Sequence, residues 1–265
     1  MNKPFALWEP PEDGPQELIP GLLLRHGAFL LYGGKELGKT TILFEISHTL
    51  LTGEPLWGKL APTMPVAQTY YIMGEHHKET IKEQWRMMFP EGKANAWGVS
   101  ARGQHLVRGT LRPQVVTELA TLVKGSGAVL FDPLGAFVDA EGGENDPTSM
   151  RSCVNAMIDV AGEGVALIAH HEGKPVFDQR GGRFVHSSTP RGASSIADAA
   201  AVVWRMTKES DRDDEHPNLY RLTREFYKGT APSYYILNRN PDTLRHTLIR
   251  VGSTRKQVYG TGTKG

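Results

Sequence analysis

Short apolar runs alternate with amphipathic stretches over most of the chain. Runs of a few apolar residues predict buried strands, and apolar residues that recur with helical spacing predict helices. The predicted strands are Ala28–Tyr32, Val66–Met73, Ala128–Phe131 and Val165–Ala169. The predicted helices are Thr40–Leu51, Glu79–Phe89, Gln114–Lys124 and Met150–Ala161. Buried strands that alternate with helices favour a mostly parallel sheet that is covered by helices on both faces.

The pattern changes near residue 199, where strands begin to follow one another through turns. These later strands are predicted over Ala199–Met206, Leu219–Phe226, Tyr234–Arg239 and Thr247–Val251. Because no crossover helix separates them, we expect an antiparallel C-terminal extension of the sheet. Residues 1–17 predict an irregular lead-in rich in proline and glutamate, and residues 252–265 predict a flexible polar tail. A single α/β domain is therefore expected over residues 18–251.

Composition narrows the class of protein. The chain has 265 residues, of which 39% are hydrophobic and 22% are charged, as is typical of a soluble globular domain. No apolar run approaches the roughly 20 residues that cross a membrane. The single cysteine, Cys153, excludes an internal disulfide, fits a reducing cytoplasm and is expected to pack as a small apolar residue. Because the net charge is only +1, a nucleic-acid partner would need a local basic patch.

The strongest chemical signal is the segment 33–40, which matches the P-loop pattern G-x-x-x-x-G-K-[ST] in full. An apolar strand precedes it and a helix follows it, as this loop requires. Its backbone N–H groups can turn towards phosphates, Lys39 can reach the β- and γ-phosphates, and the Thr40 hydroxyl can ligate Mg²⁺. The predicted nucleotide contacts are Gly33, Gly34, Lys35, Glu36, Leu37, Gly38, Lys39, Thr40 and Thr41. The expected cofactors are ATP, or a related nucleoside triphosphate, and Mg²⁺.

Two carboxylates end predicted strands. Asp132 follows a strand that we expect to lie beside the P-loop strand, where it could hold a water on Mg²⁺. Glu75 ends an earlier strand and could polarise the water that attacks the γ-phosphate. Each could instead be an ordinary acidic residue at the end of a strand.

A histidine pair, His170–His171, ends another predicted strand. A histidine at this edge could sense the γ-phosphate and link the nucleotide state to the loop that follows. A solvated histidine pair is the simpler alternative. A zinc site with His76–His77 is a further alternative, but no cysteine or carboxylate spacing supports it.

Cations cluster in two later regions. Between residues 172 and 191 a glycine-rich loop carries four of them, which suits contact with a nucleic-acid backbone or, equally, with solvent. These are Lys174, Arg180, Arg183 and Arg191. Arg205, Arg224 and Lys228 lie on or beside the late strands. In a ring of subunits, one of them could reach the γ-phosphate of a neighbour as an arginine finger; otherwise they are surface cations.

The order P-loop, Glu75, Asp132 and His170–His171 resembles that of RecA-like P-loop ATPases. The chain looks most like the RepA-type hexameric replicative helicases of plasmids and phages. The matching segments cover about residues 18 to 240. They are Ile19–Leu22, the P-loop, Tyr70–Glu75, Leu130–Leu134, Leu167–His171, Arg191–Ser194 and Phe226–Gly229.

The resemblance implies a RecA-like fold, ATP with Mg²⁺, and a six-membered ring with active sites between subunits. It also implies single-stranded DNA in a central channel. By the same resemblance, Lys39 and Thr40 bind phosphate and metal, Glu75 activates water, and Asp132 holds Mg²⁺. His170 senses the γ-phosphate, and Arg86 touches the nucleotide region.

The chain departs from that family at three places. The family often has Asp after its catalytic Glu, whereas this chain has His76. The loop interior Lys35–Leu37 is bulkier than the usual small residues. A gapless alignment places Ala201 at the position of the finger arginine, with Arg205 shortly after it.

The sequence therefore predicts a Mg²⁺-dependent ATP hydrolase that acts as a DNA motor, a replicative helicase in the cytoplasm of a bacterium or a phage-infected cell. Two alternatives remain open. One is a RecA/RadA-like protein that binds single-stranded DNA under the control of ATP. The other is a switch ATPase that binds a partner and no nucleic acid.

Overall fold

The computed structural model describes most of the chain between residues 17 and 252. The described ranges are 17–75, 77–90, 103–108, 113–138, 146–173, 176–178, 183–185, 194–209, 218–227 and 232–252. The predicted lead-in and tail lie almost entirely outside them. Among the described residues, no helix has the length and apolar character needed to cross a membrane.

The described elements comprise strands β1–β13, helices α1–α5 and one short 3-10 helix. The strands are β1 (Glu17–Ile19), β2 (Leu23–Leu24), β3 (Gly27–Gly33), β4 (Gln68–Met73), β5 (Gly103–Arg108), β6 (Ala128–Asp132), β7 (Val165–His171), β8 (Val176–Asp178), β9 (Arg183–Val185), β10 (Val202–Lys208), β11 (Leu219–Tyr227), β12 (Tyr234–Arg239) and β13 (His246–Gly252). The helices are α1 (Lys39–Thr52), α2 (Lys78–Met88), α3 (Pro113–Leu122), α4 (Pro147–Ala161) and α5 (Ser194–Ala199), with the 3-10 helix at Leu134–Phe137.

Nine of these strands form one central sheet in the order β13-β12-β11-β10-β3-β7-β6-β4-β5. The six strands from β10 to β5 are parallel to their neighbours, and β11, β12 and β13 are added to β10 in antiparallel fashion. Two small hairpins, β1–β2 and β8–β9, stand outside it. The predicted mostly parallel α/β sheet with an antiparallel C-terminal extension is confirmed.

The structure differs from the sequence prediction in several elements, three of which belong to or adjoin the central sheet. β5 lies at the edge of the sheet, in a stretch that showed no clear strand pattern. The short helix α5 occupies residues 194–199, just before the strand that was predicted to begin at Ala199. β10 is not simply part of the antiparallel extension, because it is parallel to β3 on one side and antiparallel to β11 on the other. The change of direction therefore occurs after β10, where no helix intervenes.

Alternation along the strands divides the core into two layers. Phe29 and Leu31 of β3 pack in the layer that contains α1 and α2, whereas Ala28 and Leu30 pack in the layer that contains α3, α4 and α5. Helices thus cover both faces, as the continuous apolar strands required. Cys153 is buried on α4, and burial raises its pKa to about 12, so it packs as an unreactive thiol.

Helix α1 is buried along almost its whole length, including its polar residues. Buried polar groups must find internal partners. Ser47 is hydrogen-bonded to Thr69 of β4 at 2.7 Å between the two hydroxyl oxygens. The Glu45 carboxylate accepts three bonds: from the backbone N of His246 at 2.6 Å, from the Nδ1 side of its ring at 2.8 Å, and from Trp57 Nε1 at 3.1 Å. Glu45 therefore fixes α1 to β13.

We expect Glu45→Ala to destabilise the protein by about 3 kcal/mol, because it leaves several buried polar groups without a partner. Chemical denaturation followed by circular dichroism measures this free energy of unfolding. Glu54→Ala is the matched control, since the Glu54 side chain is 63% exposed and lies 3.9 Å from the His48 ring. The control should change stability by less than about 0.5 kcal/mol. Equal stability of the two variants would contradict a structural role for Glu45.

Candidate nucleotide-binding site

The P-loop leaves the carboxyl end of β3 near the middle of the sheet and leads directly into α1. Two of its glycines are required by geometry. A Cβ on Gly33 would lie 2.3 Å from the carbonyl oxygen of Met206, so β10 can approach only a glycine here. Gly38 caps α1 with φ at 95°, in the left-handed region that favours glycine. Gly33 therefore lets the loop pack closely against the sheet, and Gly38 lets the chain turn into the first residue of α1.

Lys39 is a largely buried cation that lies against the loop. Its Nζ donates to the carbonyl oxygens of Gly33 at 3.1 Å and Gly34 at 2.7 Å. Burial lowers the pKa of Lys39, and the negative charges of Asp132 and Glu172 oppose that shift. An anion such as a phosphate group would further stabilise the charged amine. The Lys39 amine therefore lies where a phosphate-binding residue is needed, against the carbonyl groups of the loop.

Asp132 receives two hydroxyl groups at one carboxylate oxygen. Thr40 Oγ1 donates to Asp132 Oδ2 at 2.5 Å, and the hydroxyl of Tyr71 donates to the same oxygen at 3.0 Å. Burial, followed by the charge of Asp132, raises the pKa of Tyr71, so its proton remains in place as a donor. The three side chains join α1, β6 and β4 at the carboxyl edge of the sheet.

One detail of the predicted arrangement was wrong. β6 does not lie beside the P-loop strand, because β7 is inserted between β3 and β6. Two strand spacings of roughly 4.8 Å each therefore separate the two strands. Thr40 nevertheless contacts Asp132, since it extends from the first turn of α1 on the same face of the sheet.

Glu75 lies two residues beyond the end of β4, which borders β6, and its side chain is exposed. Thr41 and α2 meet nearby, where Gln84 Nε2 donates to Thr41 Oγ1 at 3.3 Å. Arg86, on the same helix, is exposed. The structure thus brings Glu75 to the edge that carries Asp132, and it places Arg86 on the outer side of α2.

The two adjacent histidines lie on opposite faces of the sheet. His170 is fully buried beside Tyr32 in the layer of α3 and α4. His171 is opposite Gly33 and faces the P-loop, and burial and the charge of Lys39 lower its pKa, whereas Glu75 and Asp132 act to raise it. Of the pair, His171 is therefore the one that shares an electrostatic environment with the phosphate-binding residues.

Arg205 is engaged within its own chain. Its guanidinium forms an ion pair with Glu172, which follows His171 and whose backbone N donates to the carbonyl oxygen of Gly33 at 3.0 Å. The side chain is only 21% exposed. Arg224 is half-buried on β11, opposite Trp204 of β10. Lys228 lies outside the described residues. Of the three finger candidates, Arg205 is therefore the one that the structure shows to be paired within its own chain.

The predicted DNA-contacting cations fall almost entirely outside the described part of the chain. Lys174, Arg180 and Arg191 lie outside it. Arg183 begins β9, the second strand of the β8–β9 hairpin, which places its backbone but not its side chain. His76 also lies outside the described residues.

The residues present fit a nucleotide and a hard divalent cation. Thr40 Oγ1 and Asp132 Oδ2 are neighbouring oxygen ligands of the kind that Mg²⁺ prefers. Among the described residues, no three His, Cys, Asp or Glu side chains gather as a metal site. Mg²⁺ commonly binds one or two protein oxygens and completes its coordination shell with phosphate and water. Lys39 and the α1 N-terminus supply positive charge for the phosphates.

Most of this site can be predicted from the sequence. The exceptions are the role of Tyr71, the choice between the two histidines and the position of Arg239. Tyr71 lies within an apolar run, where it resembles an ordinary core residue. Alternation nevertheless places it on the same face of β4 as Met73, and Met73 lies two residues before Glu75. The choice of His171 over His170 follows from alternation, because His171 shares a face with Ala169 and Leu167. Arg239 was not identified, and no local pattern could have placed it near Gly38, where a Cβ would lie 3.0 Å from Arg239 Nη1.

Comparison with known proteins bears on both family and fold. The sequence profile of the AAA domain family matches residues 4–176, more than half of the chain. No protein of curated function matches the sequence.

Three solved structures share the fold, each at 11% sequence identity. A DnaB-like replicative helicase matches 85% of this chain with a TM-score of 0.61, and this chain spans 59% of its length. A solved ATPase domain matches 85% of this chain and 86% of its own, with a TM-score of 0.62. A KaiC-like protein from Pyrococcus horikoshii OT3 matches 88% and 94%, with a TM-score of 0.58. The predicted RecA-like fold is confirmed.

We expect Tyr71→Phe to raise the Mg²⁺ concentration needed for half-maximal ATP hydrolysis by about tenfold, since residues that orient a metal ligand typically have effects of this size. The substitution removes only the hydroxyl that binds Asp132. Tyr70→Phe is the matched control, because Tyr70 packs on the opposite face of β4, where its hydroxyl donates to Gln68 at 3.3 Å. An unchanged Mg²⁺ dependence in Tyr71→Phe would contradict a role for this hydroxyl in orienting Asp132.

Proposed function

The chain belongs to the AAA domain family of P-loop ATPases, and we propose that it is a Mg²⁺-dependent ATP hydrolase that moves along single-stranded DNA. The more specific role that we infer is that of a replicative helicase of a plasmid or phage, acting in the cytoplasm as a ring of six subunits. The observation that carries the hydrolase is the convergence of Lys39, Thr40, Asp132 and Glu75 at one edge of the sheet. The DNA-motor part of the proposal is supported by the fold that the chain shares with a DnaB-like replicative helicase.

Each of these residues has a chemical task in hydrolysis. Lys39 and the backbone N–H groups at the α1 N-terminus bind and orient the β- and γ-phosphates. Thr40 and Asp132 would hold Mg²⁺, which neutralises phosphate charge when it is bound. Tyr71 keeps Asp132 in place by donating to Oδ2. The exposed carboxylate of Glu75 is free to accept a proton from a water that attacks the γ-phosphate.

His171 is the proposed sensor of the γ-phosphate. The resemblance pointed to His170, but the geometry favours its neighbour, because His171 faces Lys39 and Glu75 while His170 is buried on the other side of the sheet. His171 also precedes Glu172 and the loop that carries the cationic residues. A change in its contact with the γ-phosphate would therefore be passed to that loop through the backbone.

The ring requires a cation from a neighbouring subunit, and Arg205 is poorly placed to supply it. Its ion pair with Glu172 would have to break before it could reach another molecule. Arg224 and Lys228 remain the candidates for this role. Single-stranded DNA is the proposed ligand of the segment that contains Lys174, Arg180, Arg183 and Arg191.

Glu75→Gln should retain ATP binding and lose hydrolysis by roughly 10²- to 10⁴-fold, the range that a general base contributes. Turnover is measured by phosphate release and binding by calorimetry. Adding single-stranded DNA to the parental protein should raise turnover. A forked duplex should then be unwound in the presence of ATP and Mg²⁺.

The outcomes of these assays separate the alternatives. Near-normal turnover in Glu75→Gln would mean that another group activates the water. If single-stranded DNA does not change the rate of ATP hydrolysis, a switch ATPase with a different partner is favoured. DNA-stimulated turnover without unwinding would favour a RecA/RadA-like binding protein.

His171→Ala should lower DNA-stimulated turnover more than tenfold while ATP binding changes little, because a sensor acts on the hydrolysis step. His77→Ala is the control, since His77 is exposed at the start of α2. If His171→Ala hydrolyses ATP with normal DNA stimulation, the sensor role does not hold.

A further inference from the structure

We propose that Arg239 is a nucleotide-binding residue that acts in cis, on the side of the P-loop opposite to the metal, where it contacts the α-phosphate. The proposal deepens the nucleotide site on which the proposed function rests. It assigns a ligand-binding role to the antiparallel extension of the sheet.

The first observation is the position of the side chain. Arg239 is the last residue of β12, yet a Cβ on Gly38 would lie 3.0 Å from its Nη1 and 3.5 Å from Thr41 Oγ1. The guanidinium therefore lies against the P-loop at the point where α1 begins. This is the part of the loop whose N–H groups are directed at phosphate.

The second observation is the state of its charge. Within the described part of the chain, Arg239 forms no ion pair, and its buried Nε has no hydrogen-bond partner. The guanidinium is held by the ring of Tyr220, with 4.9 Å from Cζ to the ring centroid. A half-buried cation beside a phosphate-binding loop, with no carboxylate among the described residues to neutralise it, is best stabilised by an anionic ligand.

Arg221 shows the contrast on the same strand as Tyr220. It also lies over a tyrosine ring, that of Tyr234, at 4.4 Å. However, its guanidinium is neutralised by Glu209, through hydrogen bonds of 2.6 Å and 2.7 Å. Arg239, in contrast, lies against the P-loop and has no carboxylate partner in the part of the chain that the structure describes.

The order of the strands indicates which end of the bound nucleotide would lie near Arg239. Asp132 ends β6 and Glu75 follows β4, both on one side of the P-loop strand, whereas β12 lies on the other side. The γ-phosphate must lie near the metal ligands and the base that activates water. The α-phosphate and nucleoside therefore extend towards β11 and β12, and Arg239 meets that end of the ligand.

The residues around Arg239 connect it to α1, the helix that carries the proposed phosphate-binding residues. Tyr220 packs edge-on against the His246 ring, with 5.9 Å between ring centroids, and His246 is bound to Glu45 of α1. The position of Arg239 relative to the P-loop is thus set by buried contacts rather than by a flexible side chain. A preorganised cation loses little entropy when the ligand binds.

The test is calorimetric titration with ADP and, separately, with a non-hydrolysable ATP analogue, both with Mg²⁺. Arg239→Gln should weaken both ligands by about the same factor, roughly tenfold, because both carry the α-phosphate. Arg239→Lys, which keeps the charge, should retain most of the affinity. Arg221→Gln is the matched control and should bind both ligands normally.

Thermal unfolding without nucleotide separates a ligand contact from a structural one. Because the Arg239 side chain forms no ion pair with any described residue, Arg239→Gln should not lower the unfolding temperature of the free protein. The proposal is overturned if ADP and the analogue bind Arg239→Gln normally, or if only the analogue is weakened, which would place the contact at the γ-phosphate. It is also overturned if Arg239→Lys loses as much affinity as Arg239→Gln.

These outcomes are independent of the motor function. If neither ligand binds the parental protein, the proposed function fails. If both bind and Arg239→Gln is unaffected, only the assignment of Arg239 fails.

Discussion

The burial of helix α1 is the constraint on which the rest of the structure depends. The helix is enclosed along almost its whole length, so its polar side chains cannot be solvated and must be paired inside the protein. Each pairing fixes a different part of the fold to the helix: Thr40 binds Asp132 of β6, Ser47 binds Thr69 of β4, and Glu45 binds His246 of β13. Helix α1, whose N-terminus follows the P-loop, is therefore positioned by strands on both sides of the P-loop strand.

This arrangement explains why the antiparallel extension is part of the site and not an appendage. A parallel α/β sheet alone would place ligand groups only at the carboxyl ends of its own strands. Here β12 and β13 continue the same sheet and contact α1, through Arg239 beside Gly38 and through His246 bound to Glu45. The Glu45–His246 contact is buried and could not form if β13 were displaced. The same packing brings Arg239 beside Gly38, which extends the site beyond the parallel part of the sheet.

The parts of the site that are encoded locally could be predicted from the sequence. The P-loop is contiguous, and Asp132 and Glu75 each follow an apolar run, so their common edge follows from parallel strands. Features that depend on pairing between distant segments could not be predicted. The insertion of β7 between β3 and β6 and the proximity of Arg239 to Gly38 are both set by strand order and register. A linear pattern does not contain that information.

The Glu172–Arg205 pair shows how such long-range contacts alter a functional interpretation. From sequence, Arg205 is a cation on a late strand that could serve a neighbouring subunit. In the fold it is opposite Tyr32 of β3, and Glu172 reaches it from the end of β7. The ion pair thus spans the P-loop strand on the face away from α1, while His171, the preceding residue, faces the phosphate site. Glu172 is thus anchored both to Arg205 and, through its backbone N, to the carbonyl oxygen of Gly33, so the ion pair restrains the chain directly after His171.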